Sequence, residues 1–416
     1  MNLFDAEKFF KKYHGLEFHM AREDEKLYDE FKKMDIPKEL IDQWKNDISY
    51  KQKQDSLKRS VKHLYVHVPF CNSICYYCDF CHVIYNEKLV NQWLDQLSKE
   101  AYDNCLNQYE TIYIGGGTPS CLEYKQLKRL LNIILPYSNN VKEYTIEINP
   151  ESITSDKIKL FKEYGINRIS IGVQSSNDEL LKSLNRKHNY EDVVKAVKLL
   201  KENDLNNISV DLMYSLPSQT IDILNQTIDD ILLLDVPHIS LYSLTIEENT
   251  VFGKRNVQPL DEQIEADMYE LIENKLTKNN YIHYEVSNHC KKGYESKHNL
   301  GYWNYDDFLG ISIGASSKNG NNRYTNTNSI NKYLSGDDIK DEDLKLTNEE
   351  LMFENIMMSL RTIYGLNIEE FNNRYNVDFI KRYKDALNSE YLKIVNNHLI
   401  CTNLEILNNI LLDFMI

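Results

Sequence analysis

The sequence predicts an α/β chain: an incomplete (β/α)6 barrel, preceded by a helical extension and followed by an appended, mainly α region. Three observations carry this. Strand-like runs alternate with helical stretches between residues 61 and 280. Six such units are visible, fewer than the eight that close a full barrel. Polar residues and glycines collect where each run ends, the position at which barrels of this kind carry their working groups.

The first 60 residues are charged and mixed. Leu27, Phe31 and Met34 recur at near-helical spacing, which predicts short helices, and residues 51–60 read as a polar linker. His14, His19 and Met20 read as surface residues. The strand-like runs follow at 64–68, 111–115, 144–148, 168–173, 208–213 and 238–244. Stretches 86–108, 122–135, 155–164, 189–203 and 219–234 read as helices. Such alternation pairs the strands in parallel and puts the helices outside. After 280 it stops. Residues 284–288 look like a strand, and a Gly/Ser/Asn-rich stretch runs to about 336. The charged residues 337–345 read as a solvated loop, 347–363 and 367–393 as amphipathic helices, and 398–416 as an apolar segment ending in a helix. The expected domains are therefore 1–60, 61–280 and 281–416.

Composition narrows the function. A chain of 416 residues accommodates two domains. A net charge of −15 argues against a nucleic-acid surface, which needs a basic patch. No stretch approaches the ~20 apolar residues of a membrane span, and the N-terminus lacks a basic-then-apolar signal pattern. Of eight cysteines, four crowd residues 71–81 and four are scattered, unlike a secreted disulfide framework. A soluble cytoplasmic protein is the expectation.

Cys71, Cys75 and Cys78 stand at spacing C-x3-C-x2-C, just after the first run. A loop with three thiols so spaced can wrap one corner of an iron–sulfur cube, leaving one iron open. Zinc is the competing occupant, but it would call for a further C-x2-C pair downstream of this loop, and none follows. The later runs add Gly115, Gly116, Gly117, Thr118 and Pro119, then Glu147 and Asn149, Gln174 and Ser175, Asp211, and Thr245. Glycines let a backbone approach a ligand closely. Each residue alone has an ordinary structural reading: Asp211 could cap a helix and three glycines could be a turn. A single face that collects polar groups from every strand is the stronger signal.

With these motifs in hand, the chain is similar to the radical S-adenosylmethionine (SAM) superfamily. It further resembles the coproporphyrinogen III dehydrogenase-like group and, within it, the haem chaperone (HemW-type) branch. The likeness runs from about 63 to 416 and rests on Ile171-Gly-Val-Gln-Ser175, Leu184-Asn-Arg-Lys-His188, Val210-Asp-Leu-Met-Tyr-Ser-Leu-Pro-Ser-Gln-Thr220, Tyr242-Ser-Leu-Thr-Ile-Glu247 and Tyr284-Glu-Val-Ser-Asn288. His298-Asn299-x-x-Tyr302-Trp303 marks the chaperone branch. The resemblance implies that Cys71, Cys75 and Cys78 hold a [4Fe–4S] cluster. It implies that Tyr65, Tyr77, Gly116, Gly117, Thr118, Glu147, Gln174, Arg186, Asp211 and Thr245 contact SAM, and that His298 ligates haem. The implied chemistry is one-electron reduction of the SAM sulfonium, releasing methionine and a 5′-deoxyadenosyl radical. Implied partners are haem or porphyrin, haem-accepting proteins, and an electron donor such as flavodoxin or ferredoxin. No catalytic residue is assigned.

The sequence departs from the branch in three places. Cys81 stands three residues after Cys78 and reads as a non-ligand. Ser215-Leu-Pro-Ser218 replaces the usual Gly-Leu-Pro-Gly. Sixty residues precede the barrel, without the dehydrogenase branch's Pro-Arg-Tyr-Thr-Ser-Tyr-Pro-like stretch. Haem binding and delivery is the leading expectation. The alternatives are oxygen-independent coproporphyrinogen III dehydrogenase activity and a haem-modifying radical SAM enzyme.

Overall fold

The computed structural model describes residues 61–105, 108–336 and 339–415. The helices expected in 1–60, with His14, His19 and Met20, lie outside the described residues.

Strand β1 (His63–Val68) buries Leu64, Val66 and Val68 completely, the period-two pattern of a pleated strand. A two-residue strand, β2 (Phe70–Cys71), pairs with β3 (Val83–Ile84) and closes the cysteine loop at its base. The expected alternation then follows: α1 (Glu87–Asn104), β4 (Thr111–Gly116), α2 (Tyr124–Ile134), β5 (Glu143–Ile148), α3 (Ser155–Glu163), β6 (Arg168–Gln174), α4 (Asp178–Ser183), α5 (Tyr190–Lys201), β7 (Ile208–Tyr214), α6 (Ile221–Leu233) and β8 (His238–Ser243). The helices start on side chains that accept the first free amides: Asn86 for α1, Asn189 for α5 and Thr220 for α6. β1, β4, β5, β6, β7 and β8 pair in parallel in that order. Their apolar faces and those of the helices, with Trp93, Leu97, Ile112, Leu131, Ile146 and Ile171, form one core. Each such side chain stabilises the fold by ~1.5–3 kcal/mol through burial.

The sheet does not end at 280. Beyond α7 (Val251–Lys254) and α8 (Glu262–Lys278), the hairpin β9 (Ile282–Glu285) and β10 (Asn288–Cys290) adds to β8. The strand expected at 284–288 is thus two strands folded at Val286 and Ser287. After α9 (Lys297–Trp303), β11 (Phe308–Ile311) pairs in parallel with β1 on its other side. β12 (Ser316–Asn319), β13 (Asn322–Asn326) and β14 (Lys340–Lys345) extend this edge antiparallel, giving twelve strands. The supposed loop around 337–345 is therefore in large part the exposed edge strand β14. The buried Glu100 carboxylate of α1 fixes this arrangement. It accepts hydrogen bonds from the Tyr333 hydroxyl (2.6 Å), Ser312 N (2.9 Å) and Asn326 Nδ2 (2.7 Å).

A second core forms after β14, from Met352, Ile356, Phe371, Phe379, Leu399 and Phe414 among others. The helix expected over 367–393 is broken there. Asn376 ends its first segment at a left-handed φ of 55°, and Asp378 caps a new turn.

Candidate functional site

The C-terminal ends of the parallel strands surround a cavity of about 400 Å³. Cys71, Cys75 and Cys78 line its mouth. Cys71 ends the short strand β2, and Asn185 Nδ2 steadies the loop by donating to Ile74 O at 2.7 Å. Cys71 Sγ lies 3.6 Å from Thr118 Oγ1, and Arg186 Nη1 lies 3.6 Å from Cys75 Sγ. Burial pushes the Cys71 thiol up to about 11 and the Cys78 thiol up to about 12. Without a cation they stay protonated at neutral pH, and a bound metal is what would make them thiolates.

Gly116 has φ +112°, a conformation strained for a side chain, and a Cβ on Gly117 would stand 2.8 Å from Phe70 O and 3.0 Å from Cys71 Sγ. The two glycines thus let β4's end turn under the cysteine loop. Glu147, on β5, accepts from the Tyr113 hydroxyl at 2.7 Å and Gly116 N at 3.0 Å. Burial, with the nearby Asp211 charge, raises its carboxyl to about 7 against these two hydrogen bonds. Asp211 of β7 accepts from Ser170 Oγ at 2.9 Å, and burial raises its carboxyl too. Arg186 is fixed by Nη2 donating to Gly172 O (2.7 Å) and Asn149 Oδ1 (3.0 Å).

Two buried polar atoms lining this space have no hydrogen-bond partner: Arg186 Nε and Gln174 Oε1. The Arg186 guanidinium also has no carboxylate within ion-pair distance among the described residues. A ligand carrying a carboxylate and polar groups would satisfy them. Three thiols at the mouth, a guanidinium with an unpartnered Nε and hydroxyl-binding carboxylates within one cavity therefore fit a [4Fe–4S] cluster with SAM.

Of the expected residues, Cys71, Cys75, Cys78, Tyr77, Gly116, Gly117, Thr118, Glu147, Gln174, Arg186, Asp211 and Thr245 all line the cavity. Tyr65 does not. It sits midway along β1, with its hydroxyl 2.9 Å from His67 Nδ1 and its ring beside Tyr113. Cys81 is also outside, its thiol against Asn328 O. His298 lies at the opposite end of the barrel, 1% exposed. Its Nδ1 is 2.7 Å from Thr111 Oγ1 and its Nε2 is 2.8 Å from the Tyr302 hydroxyl. Neither nitrogen is open to iron in this conformation. The neighbouring Asn299 faces the cavity, as do Arg168, His238 and Ser240 on its floor. Sequence reasoning missed these and Tyr113. The inward alternation of Thr111, Tyr113 and Gly115 on β4 was the available signal for Tyr113.

Comparison with known proteins agrees with this geometry. A model of the radical SAM superfamily matches residues 65–231, and one of the HemN C-terminal domain matches 346–407. The solved structure of coproporphyrinogen III oxidase (HemN) from Escherichia coli superposes with a TM-score of 0.76 over 87% of this chain and 92% of that one, at 20% identity. Fold and cavity define a radical SAM protein. The "Heme chaperone HemW" of Lactococcus lactis is 38% identical over 335 residues, covering 78% of this chain and 87% of that protein. The Bacillus subtilis protein of the same name is 36% identical, covering 76% and 87%. The chain belongs to the HemW family of the radical SAM superfamily.

Proposed function

We propose that this protein binds haem and delivers it to acceptor haemoproteins, holding a [4Fe–4S] cluster and SAM in the barrel cavity. The observation that carries the cofactor part is the cavity itself, with three cysteine thiols at one end and unpartnered Arg186 and Gln174 atoms within it. Family membership supports the haem part, since the relatives are named for that role. Cys71, Cys75 and Cys78 would hold the cluster. Arg186 would pair with the carboxylate of SAM, Gly116, Gly117 and Thr118 would line its methionine part, and Asp211 would take ribose hydroxyls. Tyr77, Glu147, Gln174 and Thr245 would complete the enclosure and exclude water. Such a cluster with SAM supplies one-electron reductive chemistry. We assign the electrons to a flavodoxin- or ferredoxin-type donor. The eight free cysteines support a reducing, cytoplasmic location. Among the described residues no helix is long and apolar enough to cross a membrane.

The His298–Trp303 motif is the candidate haem element. Ligation through His298 requires its Nε2 to leave the Tyr302 hydroxyl and the helix α9 to expose the ring. Titration with haemin tests this. His298→Ala should weaken haem binding and change the Soret band; unchanged affinity and spectrum would place the haem on another side chain. An anaerobic assay with reductant, SAM and coproporphyrinogen III separates the two functions. Vinyl product at catalytic turnover would replace the carrier reading with a dehydrogenase.

A further inference from the structure

Away from the cavity, α8 and the β9–β10 hairpin bring together Glu273, His283 and His289. The two histidines are cross-strand partners. Their rings stack with centroids 4.2 Å apart and planes 9° apart. Glu273 sets a single oxygen, Oε1, against both rings, 3.1 Å from His283 Nδ1 and 2.7 Å from His289 Nε2. All three donor atoms lie within 4.8 Å of one another. Tyr269, one turn before Glu273 on α8, packs edge-on against His283.

Two imidazole nitrogens and one carboxylate oxygen are the donor set of a divalent transition ion that keeps further positions for water. The ring atoms turned away from Glu273, His283 Nε2 and His289 Nδ1, are buried without a hydrogen-bond partner.

We propose that Glu273, His283 and His289 bind one divalent ion of the zinc class, separate from the barrel cavity, and that this ion fastens the β9–β10 hairpin to α8. The hairpin carries Tyr284, whose hydroxyl reaches His238 on the cavity floor at 2.9 Å, so the ion would brace that floor from outside.

The test uses anaerobically reconstituted protein carrying its cluster, stripped of loose metal on a chelating resin and titrated with Zn²⁺. One zinc per chain is expected in addition to the cluster iron. Glu273→Gln and His283→Gln should each weaken it by at least ~100-fold, leaving the iron content unchanged. Both residues are only partly buried, so the variants are expected to fold, which circular dichroism checks. Cobalt(II) supplies a second measurement: its difference spectrum should show nitrogen and oxygen ligands and no thiolate charge transfer. Absence of stoichiometric zinc, zinc that survives both substitutions, or a thiolate band would each overturn the proposal.

Discussion

The two ends of the barrel are both rich in polar side chains, yet they are built to opposite rules. At the strand C-termini, Arg186 Nε and Gln174 Oε1 are buried without partners. At the strand N-termini a network around Glu143 and His298 is paired. Glu143 accepts from Lys297 N and His298 N at 3.0 Å each and from Ser296 Oγ at 3.3 Å. His63, Thr111, His298 and Tyr302 form one continuous chain of hydrogen bonds. Spare hydrogen-bonding capacity on Arg186 and Gln174 marks where a ligand is received, and the satisfied Glu143–His298 network holds the molecule together. The comparison also separates two neighbours within one motif. Asn299 belongs to the ligand-receiving cavity and His298 to the closed network, because consecutive helical residues point about 100° apart.

Four experiments would break or sharpen this contrast. The largest effect belongs to the mouth: replacing Cys71, Cys75 and Cys78 together by Ser should abolish cluster iron and its visible absorption while the chain stays folded. Iron retained at four per chain would move the cluster elsewhere. Next comes the closed end. Glu143→Gln removes a buried charged acceptor and should cost ~3 kcal/mol in urea unfolding, with SAM affinity unchanged. If SAM affinity falls as steeply as stability, the two ends are not separable. Arg186→Lys loses the planar fork and should weaken SAM binding ~10-fold at little cost in stability. The smallest effect is a pH dependence at Glu147. Its folded carboxyl titrates at about 7, above the usual carboxylate range. The folded state therefore holds a proton that the unfolded chain has already lost, so stability declines as pH rises from the ordinary carboxylate value towards 7. Affinity for a ligand bearing an ammonium should rise over the same interval; Glu147→Gln should flatten that rise and reduce the slope of the stability profile, to which Glu285, also raised to about 7 by burial, still contributes. A profile left unchanged by that substitution would assign the titration to another group.

The parallel framework was legible because its signals are local. The run expected at 111–115 is β4 (Thr111–Gly116), and the stretch 189–203 contains α5 (Tyr190–Lys201). β11 was not legible. Its four residues sit in a turn-rich stretch, and its strand character comes from pairing with β1, far away in sequence. The helix expected over 367–393 failed at Asn376, whose left-handed conformation interrupts an otherwise amphipathic pattern. In the site, strand-end residues were legible from period-two alternation and the turn glycines. Tyr65 lies outside the cavity lining, and a resemblance supplies a residue but not its height along the strand. His298 was read by its chemistry, but helix phase alone decides whether that imidazole meets a ligand or Thr111.

The pairing of β1 with β11 has a consequence for how the protein is made. β1 is among the first described strands to leave the ribosome, and one of its two neighbours lies about 240 residues later. At ordinary synthesis rates that interval lasts roughly 10–50 s. During it β1 is an unguarded edge, and the cysteine loop hangs from a strand that lacks half its hydrogen bonds. Cluster insertion is thereby tied to late chain completion, and a truncated product ending before residue 308 would carry all three ligands on an unfinished support.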